Sequence, residues 1–168
     1  MTRNIVLIGM PCSGKTTIGR MLAERLNRRL IDTDDEIANR AGMPVAEIFR
    51  LHGEPRFREL EAQAVRDSAR IADGRIISTG GGAILRRDNV AALRHTGLLV
   101  FLDRPLADLL PTEDRPTADS AEKLKTLHRA RYRLYRTAAD YRVTAAGTPE
   151  EVLSEVLACL DHALRSVS

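Results

Sequence analysis

In the segment GMPCSGKT, residues 9–16, two glycines bracket four residues and Lys15 and Thr16 follow at once. That spacing suits a nucleoside triphosphate. Glycines let the backbone fold into a nest of N–H groups, and a helix starting at the same point aims its positive end at bound phosphate. Lys15 is expected to reach the β- and γ-phosphates and to face solvent in the empty loop, while the Thr16 hydroxyl is expected on Mg2+. The expected nucleotide contacts are Gly9, Pro11, Cys12, Ser13, Gly14, Lys15, Thr16 and Thr17. Cys12 is read as a small side chain tolerated in the loop, although a helix N-terminus and Lys15 could lower its thiol pKa.

A phosphoryl donor needs an acceptor, and IDTDDE offers carboxylates for one. Asp32 is assigned near Mg2+ and Asp34 near an acceptor hydroxyl, which it would orient or deprotonate. The competing reading is that TDDE caps a helix; capping accounts for residues 33–36 but not for Asp32. Asp103, ending the run LLVFLD, is a second candidate for the metal, or else a strand-ending acid paired with Arg104 or an upstream arginine. Spacing leaves Asp32 and Asp103 both open. Gly80, Gly81 and Gly82 end another apolar run, where a ligand can approach the backbone closely. In GEPRFREL, Arg56 and Arg58 lie near a helix start, against its dipole, so each invites an anion. The planar fork of Arg58 suits a substrate carboxylate.

These residues must be positioned by elements that the apolar pattern marks out. Short apolar runs at 5–8, 30–31, 76–77, 98–102 and 141–143 predict strands. Helical stretches are expected at 15–27, 35–41, 45–51, 55–72, 89–95, 121–139 and 149–164. Alternation of strand and helix implies a parallel sheet covered on both faces. Ligands of such sheets bind beyond the carboxyl ends of the strands, which here carry the phosphate loop, DTDDE, STGGGA and LDRP. The polar stretch PTEDRPTADS, 111–120, has two prolines and no apolar period, and reads as a mobile lid.

The length of 168 residues suits one domain. No apolar run is long enough to span a membrane, and the cytoplasm is the expected location. Two cysteines make no disulfide framework; Cys159 shares a stripe with Val152, Val156 and Ala163 and is read as buried. The net charge is +3. Only three of the 26 basic residues are lysines, and the arginines are interleaved with acids. RARYRLYR could touch nucleic acid, but an aromatic content of 4% leaves few platforms for stacking bases, so no nucleic-acid partner is expected.

Taken together, NIVLIGMPCSGKTTIGRMLAERL, IDTDDEIANRAGMPVAEIF, GEPRFRELE, ISTGGGAIL and RYRLYRTAADYRV resemble shikimate kinase over nearly the whole chain. The resemblance implies transfer of the γ-phosphate of ATP to the 3-hydroxyl of shikimate. It also implies a single nucleoside-monophosphate-kinase-like domain over 1–168 with a five-stranded parallel sheet. Acceptor-binding helices would lie near 34–61 and the lid near 111–120. Carried over by motif, Asp34 orients and deprotonates the hydroxyl. Arg58 and Arg131 clamp the carboxylate beside Gly80, Gly81 and Gly82, and Arg115 reaches the phosphates. Asp32 rather than Asp103 joins Thr16 at Mg2+. A monomer is expected. The chain departs from the family in RPTA after Arg115, in having no match for an adenine-stacking arginine between FLD and Arg115, and in lacking a basic residue in AAGTPE. Another small-molecule kinase of the same architecture, such as a gluconate kinase or a nucleoside monophosphate kinase, is the alternative reading, and a non-catalytic nucleotide- or nucleic-acid-binding module is a more distant one.

Overall fold

The five apolar runs form five strands of one sheet. They are β1 (Asn4–Ile8), β2 (Leu30–Asp32), β3 (Ile76–Ser78), β4 (Gly97–Asp103) and β5 (Tyr141–Thr144). Their order is β2-β3-β1-β4-β5, with every neighbouring pair parallel. The computed structural model describes residues 2–109 and 121–165. Parallel pairing requires crossovers, and among the described residues six α-helices provide them or flank them. These are α1 (Lys15–Leu26), α2 (Thr33–Ala41), α3 (Val45–Ser68), α4 (Arg87–Thr96), α5 (Ala121–Ala138) and α6 (Pro149–Arg165).

Alternation along β1 builds the two layers. Ile5 and Leu7 enter one core with Ile18 and Leu22 of α1 and Val152, Val156 and Leu160 of α6. Val6 and Ile8 enter the other with Val65 of α3, Leu93 of α4 and Leu124 and Tyr135 of α5. Each fully buried side chain of this size contributes about 1.5–3 kcal/mol, and a one-residue slip would exchange the faces, so the register is fixed. In α6 the buried stripe is Val152, Val156 and Leu160. Cys159 lies only partly buried on its flank, and burial raises its thiol pKa. The expectation of full burial there is corrected.

The 45–68 segment is two helical stretches joined at Gly53, whose φ of 76° breaks the helix ahead of Pro55. The second stretch stops at Ser68 instead of reaching residue 72. Beyond it the chain is drawn to the sheet, where Thr2 bridges Asp73 and the Gly74 N–H donates to Asn4 Oδ1 at 3.1 Å. Ile37, Ile48, Phe57 and Ala64 pack α2 against α3 in a small third core. Because α2 leaves β2 directly, this subregion walls the crevice at the carboxyl edge. Among the described residues, no helix is long and apolar enough to cross a membrane.

Candidate active site

The loop after β1 turns back on itself before α1 starts. Gly14 caps the helix at φ 92°, and its carbonyl accepts from the Ile18 N–H at 2.9 Å. Cys12, at φ 65°, also takes the left-handed conformation, and its side chain packs partly buried against the α3–α5 core. Lys15 departs from expectation. It is 5% exposed, and its ammonium donates to Gly9 O at 2.9 Å, Met10 O at 2.7 Å and Ser13 Oγ at 3.3 Å. Three loop oxygens satisfy the buried ammonium and offset the cost of taking it out of water, so in this state Lys15 shapes the loop.

The reading that helix capping does not account for Asp32 is corrected. Asp32 is the N-cap of α2: Oδ1 accepts from the Asp34 N–H at 3.0 Å and the Asp35 N–H at 3.4 Å. Its other oxygen accepts from the Thr16 hydroxyl at 2.7 Å, with Ser78 Oγ 3.5 Å from that hydroxyl. One carboxylate therefore ties α1 to α2. Asp34 lies inside the first turn and is not the cap. Burial, then the charge of Asp32, raises the pKa of neighbouring Asp35.

A cavity of about 350 Å³ opens beside Thr16 and Asp32. Asp34, Arg58, Gly80, Gly81, Gly82 and Arg131 all line it, together with Pro11, Arg20, Phe49, Phe57 and Glu61. The three glycines have separate reasons. A Cβ on Gly80 would stand 2.7 Å from Asp34 Oδ1, one on Gly81 2.8 Å from Pro11 Cδ, and one on Gly82 2.2 Å from the Arg58 guanidinium. At Gly81 the neighbour is a proline ring and backbone that cannot swing aside, whereas at Gly80 and Gly82 it is the end of a side chain that would have to move.

Arg58 lies in a carboxylate cradle. It donates to Glu61 Oε1 at 2.8 Å and to Glu54 Oε1 from two nitrogens at 3.3 and 3.2 Å, and it stands 5.2 Å from the Phe57 ring centroid. Arg56 pairs with Glu59 at the surface. Glu61 is wholly buried, and Oε2 has no hydrogen-bond partner. Burial raises the Glu61 pKa above its ordinary value, while Arg58 and Arg131 oppose the shift. Arg131 is 5% exposed. One turn later the buried Tyr135 donates its hydroxyl to Gly81 O at 2.5 Å. Neither Glu61 nor Tyr135 stood out in the sequence. The available signals were the Arg58–Glu61 helical spacing and the Arg131–Tyr135 spacing of four.

Asp103 does not reach this cavity. It accepts from Arg142 Nε at 2.6 Å and from the Tyr132 hydroxyl at 3.0 Å, so its partner is a downstream arginine on the adjacent strand. Arg104 instead donates to Asp108 O at 2.9 Å. Arg104 also lines a second cavity of about 110 Å³ with Ser13, Gly14, Thr17 and Pro149. Arg104 follows FLD directly, in the stretch where no match for an adenine-stacking arginine was expected. Arg115 and the 111–120 stretch lie outside the described residues.

Comparison with known proteins agrees with the resemblance. The family model described as shikimate kinase matches residues 11–161, a span that includes Asp34, Arg58, Gly80 to Gly82 and Arg131. A shikimate kinase of Neisseria meningitidis is 41% identical over 155 residues, covering 88% of this chain and 91% of its own. One of Geobacter sulfurreducens is 41% identical over 162 residues, covering 92% and 88%. Among solved structures, the shikimate kinase from Acinetobacter baumannii in complex with shikimate superposes with a TM-score of 0.91 at 32% identity, over 97% of this chain and 95% of that one. The matched span covers the acceptor motifs as well as most of the phosphate loop. This chain belongs to the shikimate kinase family, the ATP-dependent phosphotransferases that act on shikimate.

Proposed function

We propose that the 350 Å³ cavity holds shikimate with its carboxylate between Arg58 and Arg131 and its 3-hydroxyl at Asp34. The observation that carries this reading is the cavity's own asymmetry. Two buried or near-buried arginines and a glycine turn line it together with Asp34 and Thr16, the latter at the start of α1. A hydroxylated carboxylic acid matches that distribution of charge. Glu61 Oε2 offers a further acceptor for a ligand hydroxyl. The Acinetobacter baumannii relative, solved with shikimate, supports the choice of ligand.

The loop N–H groups and Lys15 bind the phosphates, Lys15 exchanging loop oxygens for phosphate oxygens. Asp34 orients the 3-hydroxyl and accepts its proton as the oxygen bonds to the γ-phosphorus. The bond from that phosphorus to the bridging oxygen then breaks and ADP leaves. Thr16 and Asp32 fit Mg2+, since a hydroxyl and a carboxylate 2.7 Å apart are the hard oxygen donors it prefers. When bound, Mg2+ neutralises charge on the β- and γ-phosphates. The purine lies in the smaller cavity, against Arg104 and Pro149. By sequence resemblance, Arg115 completes the charge around the transferring group, in a lid near 111–120. Residues 34–61 supply the acceptor-binding helices of a single domain. Action as a monomer is part of the same reading.

ADP release coupled to shikimate tests this assignment. Arg58→Ala and Arg131→Ala each raise KM for shikimate, through loss of a charged contact of roughly 1.5–3 kcal/mol. Lysine at either position rescues poorly because it lacks the fork. An unchanged KM for shikimate in both alanine variants would sink the assignment.

A further inference from the structure

Tyr135 is 0% exposed and stacks on Phe101, with ring centroids 5.1 Å apart and planes 22° from parallel. For packing alone, phenylalanine would fill the site without bringing a hydroxyl into the core, where an unpaired one is costly. The hydroxyl has a specific partner instead. It donates to the Gly81 carbonyl, and the buried Arg131 lies one turn before it on the same helix, close enough for its charge to act on the hydroxyl. Gly81 is also pressed on its other flank by Pro11 of the phosphate loop, too closely for any Cβ. The Gly81–Gly82 peptide is trans and planar, so fixing its oxygen fixes where its N–H points.

We propose that Tyr135 is a positioning residue for the acceptor. Its hydroxyl locks the glycine turn and Arg131 into one arrangement, so that a substrate carboxylate meets both without reorganising either. The inference rests on the reading of the cavity as the shikimate site. Tyr135 touches no substrate in this account; it acts through Gly81 and Arg131. Nucleotide binding is left to residues that Tyr135 does not hold.

Tyr135→Phe keeps the ring and removes the hydroxyl. Steady-state kinetics is expected to show KM for shikimate raised roughly three- to tenfold, as one net hydrogen bond implies, with KM for ATP unchanged. Leu124→Ala, a buried change near the other end of the same helix, serves as the stability control. It lowers the melting temperature and leaves both KM values in place. A double-mutant cycle of Tyr135→Phe with Arg131→Ala is expected to be clearly non-additive in KM for shikimate. The proposal is overturned if Tyr135→Phe lowers the melting temperature without moving KM for shikimate, or if both KM values move together. If Arg131→Ala raises KM for shikimate and Tyr135→Phe does not, the positioning role alone falls. If neither Arg58→Ala nor Arg131→Ala raises it, the cavity assignment falls and this inference with it.

Discussion

The two halves of the crevice are organised in opposite ways. The phosphate loop closes on itself: Lys15 reaches Gly9, Met10 and Ser13, all within six residues along the chain. The acceptor half is assembled across the fold. Gly80 N–H donates to Thr33 Oγ1 over 47 residues of chain, and Tyr135 reaches Gly81 over 54. The donor half therefore depends on a short sequence and a strand to hold it. The acceptor half depends on α2, α3, the turn after β3 and α5 all arriving together. The difference also extends to charge. The donor half presents backbone N–H groups, with one cation turned inward. The acceptor half keeps Arg58, Glu61 and Arg131 largely desolvated and close enough to bias one another.

The sharpest way to break the comparison is Lys15→Met. If the lysine serves both the empty loop and the transferring phosphate, two measurements change. Turnover falls by about 10³-fold, at the upper end for one preorganised charged donor. The unliganded protein also melts earlier, by an amount corresponding to roughly 1–3 kcal/mol, because three loop oxygens lose their buried donor. A melting curve identical to the parent's would return Lys15 to a purely ligand-directed role.

Next in size is Asp34→Asn. Asparagine and aspartate cap helices about equally well, but the cap here is Asp32, so the substitution leaves the start of α2 untouched in either case. Loss of the general base is expected to lower kcat by at least about 10²-fold, with the melting temperature and KM for ATP near the parent's. A near-normal kcat would remove Asp34 from proton transfer and leave the acceptor half a binding surface only.

The same contrast explains what the sequence made legible. All five strands and the break at Gly53 and Pro55 follow from apolar period and helix breakers, which are local signals. The phosphate loop is local too. Asp32 as a cap was missed because the helix was expected to start at residue 35, two positions beyond its true first residue. Lys15 was expected in water because a motif gives residue order and not the oxygens that surround it. Arg131 was reached only through family resemblance, since an arginine-rich helix gives no hint which guanidinium turns inward. In that helix Leu134 is 42% exposed while Tyr135 is fully buried, so the buried stripe runs through Leu124, Arg131, Tyr135 and Ala138. Asp103 illustrates the same limit: its partner Arg142 comes from the adjacent strand, and no spacing along the chain predicts it.

The smallest expected effect concerns pH and separates the halves through Glu61. Burial raises its folded-state pKa above the ordinary 4.5, with Arg58 and Arg131 pulling it back. The folded protein therefore holds this proton more tightly than the unfolded chain does. The stability linked to it is fully present below pH 4.5 and is lost as pH rises through the folded value. Glu61→Gln removes the titration and keeps the shape. Relative to that variant, the parent should lose stability as pH rises from about 4.5 toward neutrality, with a slope no steeper than about 1.4 kcal/mol per pH unit for one proton. Denaturant melts of both proteins at several pH values measure this difference directly. Parallel profiles would mean that Glu61 titrates alike in both states, and that the acceptor half carries its buried carboxylate without an electrostatic cost.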